Sequence, residues 1–255
     1  MWAKVTAPHM LLTVRSVCKE MSARPSILHT QLRGATPMLS NAISVWESLT
    51  ARLRGIGQLL PPLILRLIMG WEFWQSGVEK YTGENWFADI QARFPFPFNK
   101  IPADISWAMA TYFELGGAIL LVFGLFTRFA AYSLLVLTFV ATAAAHWPDM
   151  VAMWSDLSKG YAITDMGFGN FKLPLLFVVM LLPILFQGPG KISLDFLLAR
   201  ALKADPMPEP LADAYAWSLA FLALGIPFLM LLPMFGLVLV IGALVLFLFG
   251  RFARA

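Results

Sequence analysis

LILRLIMGWEFWQSGVEK (residues 63–80) decides how this chain is read, because it is apolar enough for a lipid bilayer yet carries Arg66, Glu72, Glu79 and Lys80. Each ionisable side chain at bilayer depth costs roughly 2.5–3.5 kcal/mol even on lenient insertion scales. Such groups must face a protein interior and pair there, or the segment does not span. The rest of the chain favours spanning. Of its 255 residues 59% are hydrophobic and 13% are charged, where a soluble domain carries about 25% charged residues. Mean hydropathy is +0.71.

Hydrophobic runs occupy residues 59–80, 106–126, 129–146, 168–187 and 215–250. A helix needs about 20 apolar residues to cross a ~30 Å hydrocarbon core. The first four runs give one crossing each, and the last is long enough for a hairpin turning near residues 233–236. The predicted fold is all-α: a polytopic four-helix membrane bundle with an appended C-terminal transmembrane hairpin. The expected organisation is a cytoplasmic leader (1–57), the bundle (58–196), a cytoplasmic linker (197–214) and the hairpin (215–255). Within the leader, Leu39, Ile43, Trp46, Leu49 and Leu53 recur every three or four residues, as in an amphipathic helix on a membrane surface.

The net charge of +4 reads as topology rather than nucleic-acid binding. With the N-terminus inside, the inner flanks hold Arg52, Arg54, Arg128, Lys191, Arg200, Lys203, Arg251 and Arg254. The outer loops hold Arg93, Lys100, Lys159 and Lys172. That bias follows the positive-inside rule and predicts a multi-pass membrane protein with a cytoplasmic N-terminus. Cys18 is the single cysteine, so there is no CxxC motif or intrachain disulfide.

If the first two helices are centred near Gly70 and Gly116, Glu72 and Glu114 each lie about 3 Å outward of centre on antiparallel neighbours. Two carboxylates at one low-dielectric depth require a shared proton or a cation, which Arg66 could supply. The expected catalytic set is therefore Glu72, Glu114 and Arg66, a proton or quinone site. His146, Trp71 and Trp74 are its expected cofactor-contacting groups. A buried polar cluster that only fixes helix register weighs about equally. Arg66, Gly70, Phe73, Gly77 and Lys80 share one stripe of the first helix, where the glycines admit a neighbouring backbone. The run FPFPFN (residues 94–99) cannot be helical; it reads as an aromatic loop at headgroup level or as a flap. His146, Met150 and Met153 have the spacing of a soft copper site, but Pro148 breaks the register, and no metal site is expected.

Three segments together resemble the DoxX family of small bacterial membrane proteins: residues 65–80, FELGGAILLVFGLFTRFAA (113–131) and FQGPGKISLD (186–195). The resemblance rests on Arg66, Gly70, Gly77 and Lys80; on Glu114, Gly117, Gly124, Leu125, Thr127 and Arg128; and on Gly188, Pro189, Gly190 and Asp195. It implies a four-helix plasma-membrane protein tied to quinone-linked sulfur oxidation or thiol-redox complexes. The first-helix wording is similar to a branch encoded beside maturation genes for copper-binding peptides. The 57-residue leader, the hairpin and the cysteine-free bundle depart from the compact family form. The expected function is a redox-associated, quinone- or proton-coupled subunit with a protein partner. The alternative is a non-catalytic scaffold or assembly factor for a sulfur-redox or copper-peptide maturation system. Catalysis by this chain alone is left open.

Overall fold

A computed structural model describes residues 37–147, 160–161 and 170–252. Most of the predicted leader lies outside the described residues, as do Met150, Met153 and most of the second outer loop. The chain forms two units, Met1–Ile56 and Gly57–Ala255. In the first, α1 (Pro37–Gly57) leaves Leu39, Trp46, Leu49 and Leu53 exposed.

In the second unit α2 (Leu60–Thr82) begins with prolines at its first turn, where no backbone donor is needed. A short helix α3 (Phe87–Ile90) and two 3-10 turns, Gln91–Arg93 and Phe98–Lys100, lead into α4 (Ala103–Phe123). Next come α5 (Thr127–Ala141), extended by a π-turn over Thr142–His146, then α6 (Lys172–Gln187), α7 (Leu194–Ala201), α8 (Ala214–Leu231) and α9 (Pro233–Phe252). All regular structure among the described residues is helical.

Four helices are long and apolar enough to cross a membrane: α4, α5 with its π-turn, α8 and α9. The protein is therefore an all-α, multi-pass membrane protein. Two of the six expected crossings fall short of that standard. At 23 residues α2 is about 34 Å long, but its four ionisable groups lower its hydropathy. At 16 residues α6 reaches only about 24 Å. Both pack within the bundle, α2 against α4 and α6, and α6 against α5.

The core lies among these four helices and includes Met69, Phe73, Leu121, Leu134, Leu135, Leu181 and Ile184. Glycines set how closely α2 and α4 approach. A Cβ on Gly70 would lie 2.7 Å from the Val122 side chain and 3.2 Å from the Ala118 carbonyl, and one on Gly77 would lie 2.8 Å from Leu115. The two helices are locked in register wherever those residues meet.

The C-terminal hairpin breaks at Leu232, with Gly236 pressed against Leu229. Ser218 Oγ donates to the Ala243 carbonyl at 2.7 Å across it. The hairpin docks on α5 through Phe139 and Phe228, whose rings are 4.9 Å apart at 76°. Its remaining surface is apolar and exposed, including Leu219, Val238 and Phe249. An apolar helix surface on this scale fits hydrocarbon as its solvent.

Candidate functional site

The bundle has two polar ends. At the end where α4 turns into α5, three sequence motifs converge. Gly124 adopts a left-handed φ of 66°, which ends α4, and a Cβ there would collide with the Arg66 guanidinium. Arg66 is buried and spends its donors on backbone carbonyls: Pro62 at 3.4 Å, Leu121 at 3.3 Å, and Ile192. The Asp195 carboxylate accepts from the backbone N–H groups of Phe126 (2.8 Å) and Thr127 (2.9 Å), capping α5 from a distant part of the chain. Its own N–H donates to the Gly124 carbonyl at 2.8 Å.

Arg128 Nε donates to the Leu185 carbonyl at 3.2 Å, and its guanidinium lies 2.9 Å from where a Cβ on Gly188 would be. Gly190, at φ 78°, sits against Pro62 and the Gln58 carbonyl, while Pro189 fixes the backbone between the two glycines. Gly117 packs against Leu134 where α4 meets α5. The Arg66 guanidinium, the Asp195 carboxylate and the Arg128 Nε donor are used in holding α2, the α4–α5 turn, α6 and the α6–α7 loop together, while the buried Thr127 hydroxyl has no hydrogen-bond partner among the described residues. It is a structural joint.

The other polar end is different. Lys80 Nζ lies 2.9 Å from Glu114 Oε2, with the two side chains 16% and 4% exposed. Ser76 Oγ accepts from the same ammonium at 2.8 Å. Charges held this deep interact far more strongly than a surface pair, and each costs several kcal/mol to desolvate. The pair forms part of the wall of a cavity of about 610 Å³ between α2, α4, α5 and α6, within the range of about 300–1,000 Å³ typical of small-molecule sites. Most of that wall is apolar, with Phe73 and Phe177 in edge-to-face contact at 5.6 Å.

Further polar groups line the cavity, among them Tyr132, Ser133, Thr138, Ser106 and His146. Ser106 is 7% exposed, and its hydroxyl has no hydrogen-bond partner among the described residues. His146 ends the π-turn, with Nδ1 2.8 Å from Asn170 Oδ1. An amide oxygen only accepts, so Nδ1 is the donor of this bond. Over the cavity, Phe87 packs against Trp107 (4.9 Å), Trp86 (5.0 Å) and Phe94 (5.1 Å). The FPFPF segment therefore contributes buried Phe94 and half-buried Phe98 to the cavity wall, while Phe96 is exposed.

The structure separates the residues expected to form one centre. Glu114 faces Lys80, and Glu72 is half-buried on α2 with no hydrogen bond or ion pair to another described residue. The cause is register. Gly70 meets residues 118 and 122, and Gly77 meets residue 115, so α4 is shifted by about five residues, roughly 7 Å, from the alignment that matched the glutamates in depth. Arg66 lies about 21 Å along α2 from Lys80, away from Glu114, and its guanidinium is bonded to backbone carbonyls of the clasp rather than to either carboxylate. Trp71 and Trp74 are 59% and 41% exposed on the outer face of α2 and do not line the cavity. Of the expected site residues, Glu114 and His146 reach it. Ser76 and Ser106 were not anticipated. The i,i+4 spacing of Ser76 and Lys80 was the available signal for the first; nothing local marked the second.

The sequence profile of the DoxX family matches residues 62–147, which spans α2 through the π-turn and so includes Lys80, Ser106, Glu114 and His146. An uncharacterized protein of Haemophilus influenzae is 48% identical over 149 residues, covering 58% of this chain and 90% of that relative. No solved structure matches.

Proposed function

The chain belongs to the DoxX family, and for this multi-pass member we propose a redox-associated role: a quinone- or proton-coupled subunit of a membrane complex, with its site in the cavity around Glu114. One observation carries the reading. A buried ion pair and an unpartnered hydroxyl, Ser106, line one mostly apolar cavity. An orphaned buried hydroxyl costs about 1–3 kcal/mol, which a ligand acceptor would recover.

The donor set fits a quinone. Ser106 would donate a hydrogen bond to a carbonyl oxygen, Phe73, Phe87 and Phe177 would form the apolar wall beside the ring, and the Glu114 carboxylate and His146 are groups through which a proton could pass. A bound quinone would supply proton-coupled electron transfer. The Glu114 carboxylate, paired with Lys80, would accept a proton released at the site, and the surrounding apolar wall would exclude water. A partner protein supplies the electrons. Crossings by α2 and α6, residence in a bacterial inner membrane and a cytoplasmic N-terminus complete the proposal; the bias of basic residues supports that orientation. The cavity then opens toward the outer half of the bilayer.

The test is purification in native-lipid nanodiscs, quantitation of co-extracted quinone, and titration with a tail-less benzoquinone followed by tryptophan fluorescence. Retained quinone and saturable quenching, both reduced at least tenfold by Glu114→Gln, are expected. No retained quinone together with no saturable quenching overturns the reading.

A further inference from the structure

The cavity is roofed on one side and open on another. Phe87 and Phe94 are buried in the aromatic cluster over the loop end, which obstructs entry from water. Met109 and Phe113 of α4 and Phe129 of α5 line the cavity and yet are 38%, 43% and 63% exposed. Both helices are apolar spans, so what lies outside those side chains is hydrocarbon.

Besides Thr138 and Ala141, the lining residues on α5 are Phe129, Tyr132, Ser133, Val136, Leu137 and Val140. They recur every three or four positions, so they form one continuous face about 16 Å long. This wall of the cavity is therefore a groove with the length of a hydrocarbon chain, apolar apart from the Tyr132, Ser133 and Thr138 hydroxyls, while the ion pair and Ser106 lie in the deeper wall.

We propose that the cavity is filled sideways from the bilayer, by a ligand with a polar head at Ser106, Lys80 and Glu114 and a linear hydrocarbon tail along this face of α5. The tail leaves the protein between α4 and α5, past Phe113 and Phe129. The inference rests on the quinone reading and deepens it: the ligand is a tail-bearing membrane quinone, not a water-soluble redox molecule. Moving a tail from lipid to this groove brings no hydrophobic gain, since acyl chains are as apolar as the groove. The groove aligns and admits the ligand; the polar head confers the affinity.

Two photoreactive benzoquinones applied to the full-length protein in nanodiscs test this, one tail-less with a diazirine on the ring, the other with a diazirine at the end of a decyl tail. Peptide mass spectrometry should place ring adducts at Lys80, Ser106, Glu114 or His146, and tail adducts at Phe113 or within residues 129–140. Ring adducts in the cavity with tail adducts on α8, α9 or the outer face of α2 overturn the side entry and leave the quinone site standing. Labelling by neither probe that excess unlabelled quinone suppresses overturns both. Ser133→Trp should lower tail-probe labelling at least tenfold while ring-probe labelling stays within twofold, which also reports that the variant is folded. Equal labelling of the variant by the tail probe overturns the proposal. If that variant does not fold, the adduct pattern of the wild type decides.

Discussion

Replacing Lys80 by methionine keeps the length of the side chain and removes its charge. At 2.9 Å and an effective dielectric of about 20, the attraction to Glu114 is about 6 kcal/mol. Desolvating each ion costs several kcal/mol, so the intact pair is close to neutral for stability. Removing one partner leaves the other buried and unpaired, which costs about 3–5 kcal/mol. Lys80→Met should lose that amount, and Glu114→Gln in the same background should recover most of it. The double-mutant cycle should give a coupling energy of at least about 3 kcal/mol. The assay is reversible unfolding by sodium dodecyl sulfate in mixed micelles, followed by tryptophan fluorescence. A loss below about 1 kcal/mol for Lys80→Met, as for a solvated surface pair, refutes the reasoning. So does additivity of the two substitutions.

Ser106→Ala should act with opposite signs on two measurements: the empty protein becomes more stable by about 1–3 kcal/mol in the same unfolding assay, while benzoquinone binding weakens by roughly 2–13-fold, the worth of one hydrogen bond. Glu72→Gln should change stability by less than about 1 kcal/mol and leave benzoquinone titration unchanged, since Glu72 stands outside the cavity wall. Gly124→Ala places a Cβ on a residue at φ 66° and against the Arg66 guanidinium. It should cost at least about 1–3 kcal/mol and lower the yield of folded protein, read by size-exclusion chromatography in detergent.

Hydropathy made the membrane architecture legible, because lipid imposes length and apolarity on any span directly. The C-terminal hairpin follows from residues 215–250 being too long for one crossing, and its break at Leu232 falls beside Pro233. The buried stripe of α2 was equally readable, since Arg66, Gly70, Phe73 and Gly77 share one helical face.

Pairing across helices was not legible. The depth match of Glu72 and Glu114 assumed that the two hydrophobic runs are centred in one plane. Contacts of Gly70 and Gly77 set the register instead, and Lys80, which read as a member of the glycine stripe, became the partner of Glu114. The clasp was visible as three motifs but not as one joint, because Arg66, Gly124 and Asp195 are far apart along the chain and meet only after folding. The cavity left no trace in periodicity, since a void arises from the divergence of several helices and no single segment encodes it.

The most direct test of the quinone site is isotope-edited infrared difference spectroscopy of a benzoquinone with ¹³C-labelled carbonyls, bound to the protein in nanodiscs. The account predicts carbonyl bands shifted down from the free molecule by hydrogen bonding, one of which moves back toward the free frequency in Ser106→Ala. Carbonyl bands at the free frequency in the wild type, or bands that Ser106→Ala and Glu114→Gln leave untouched, would contradict it.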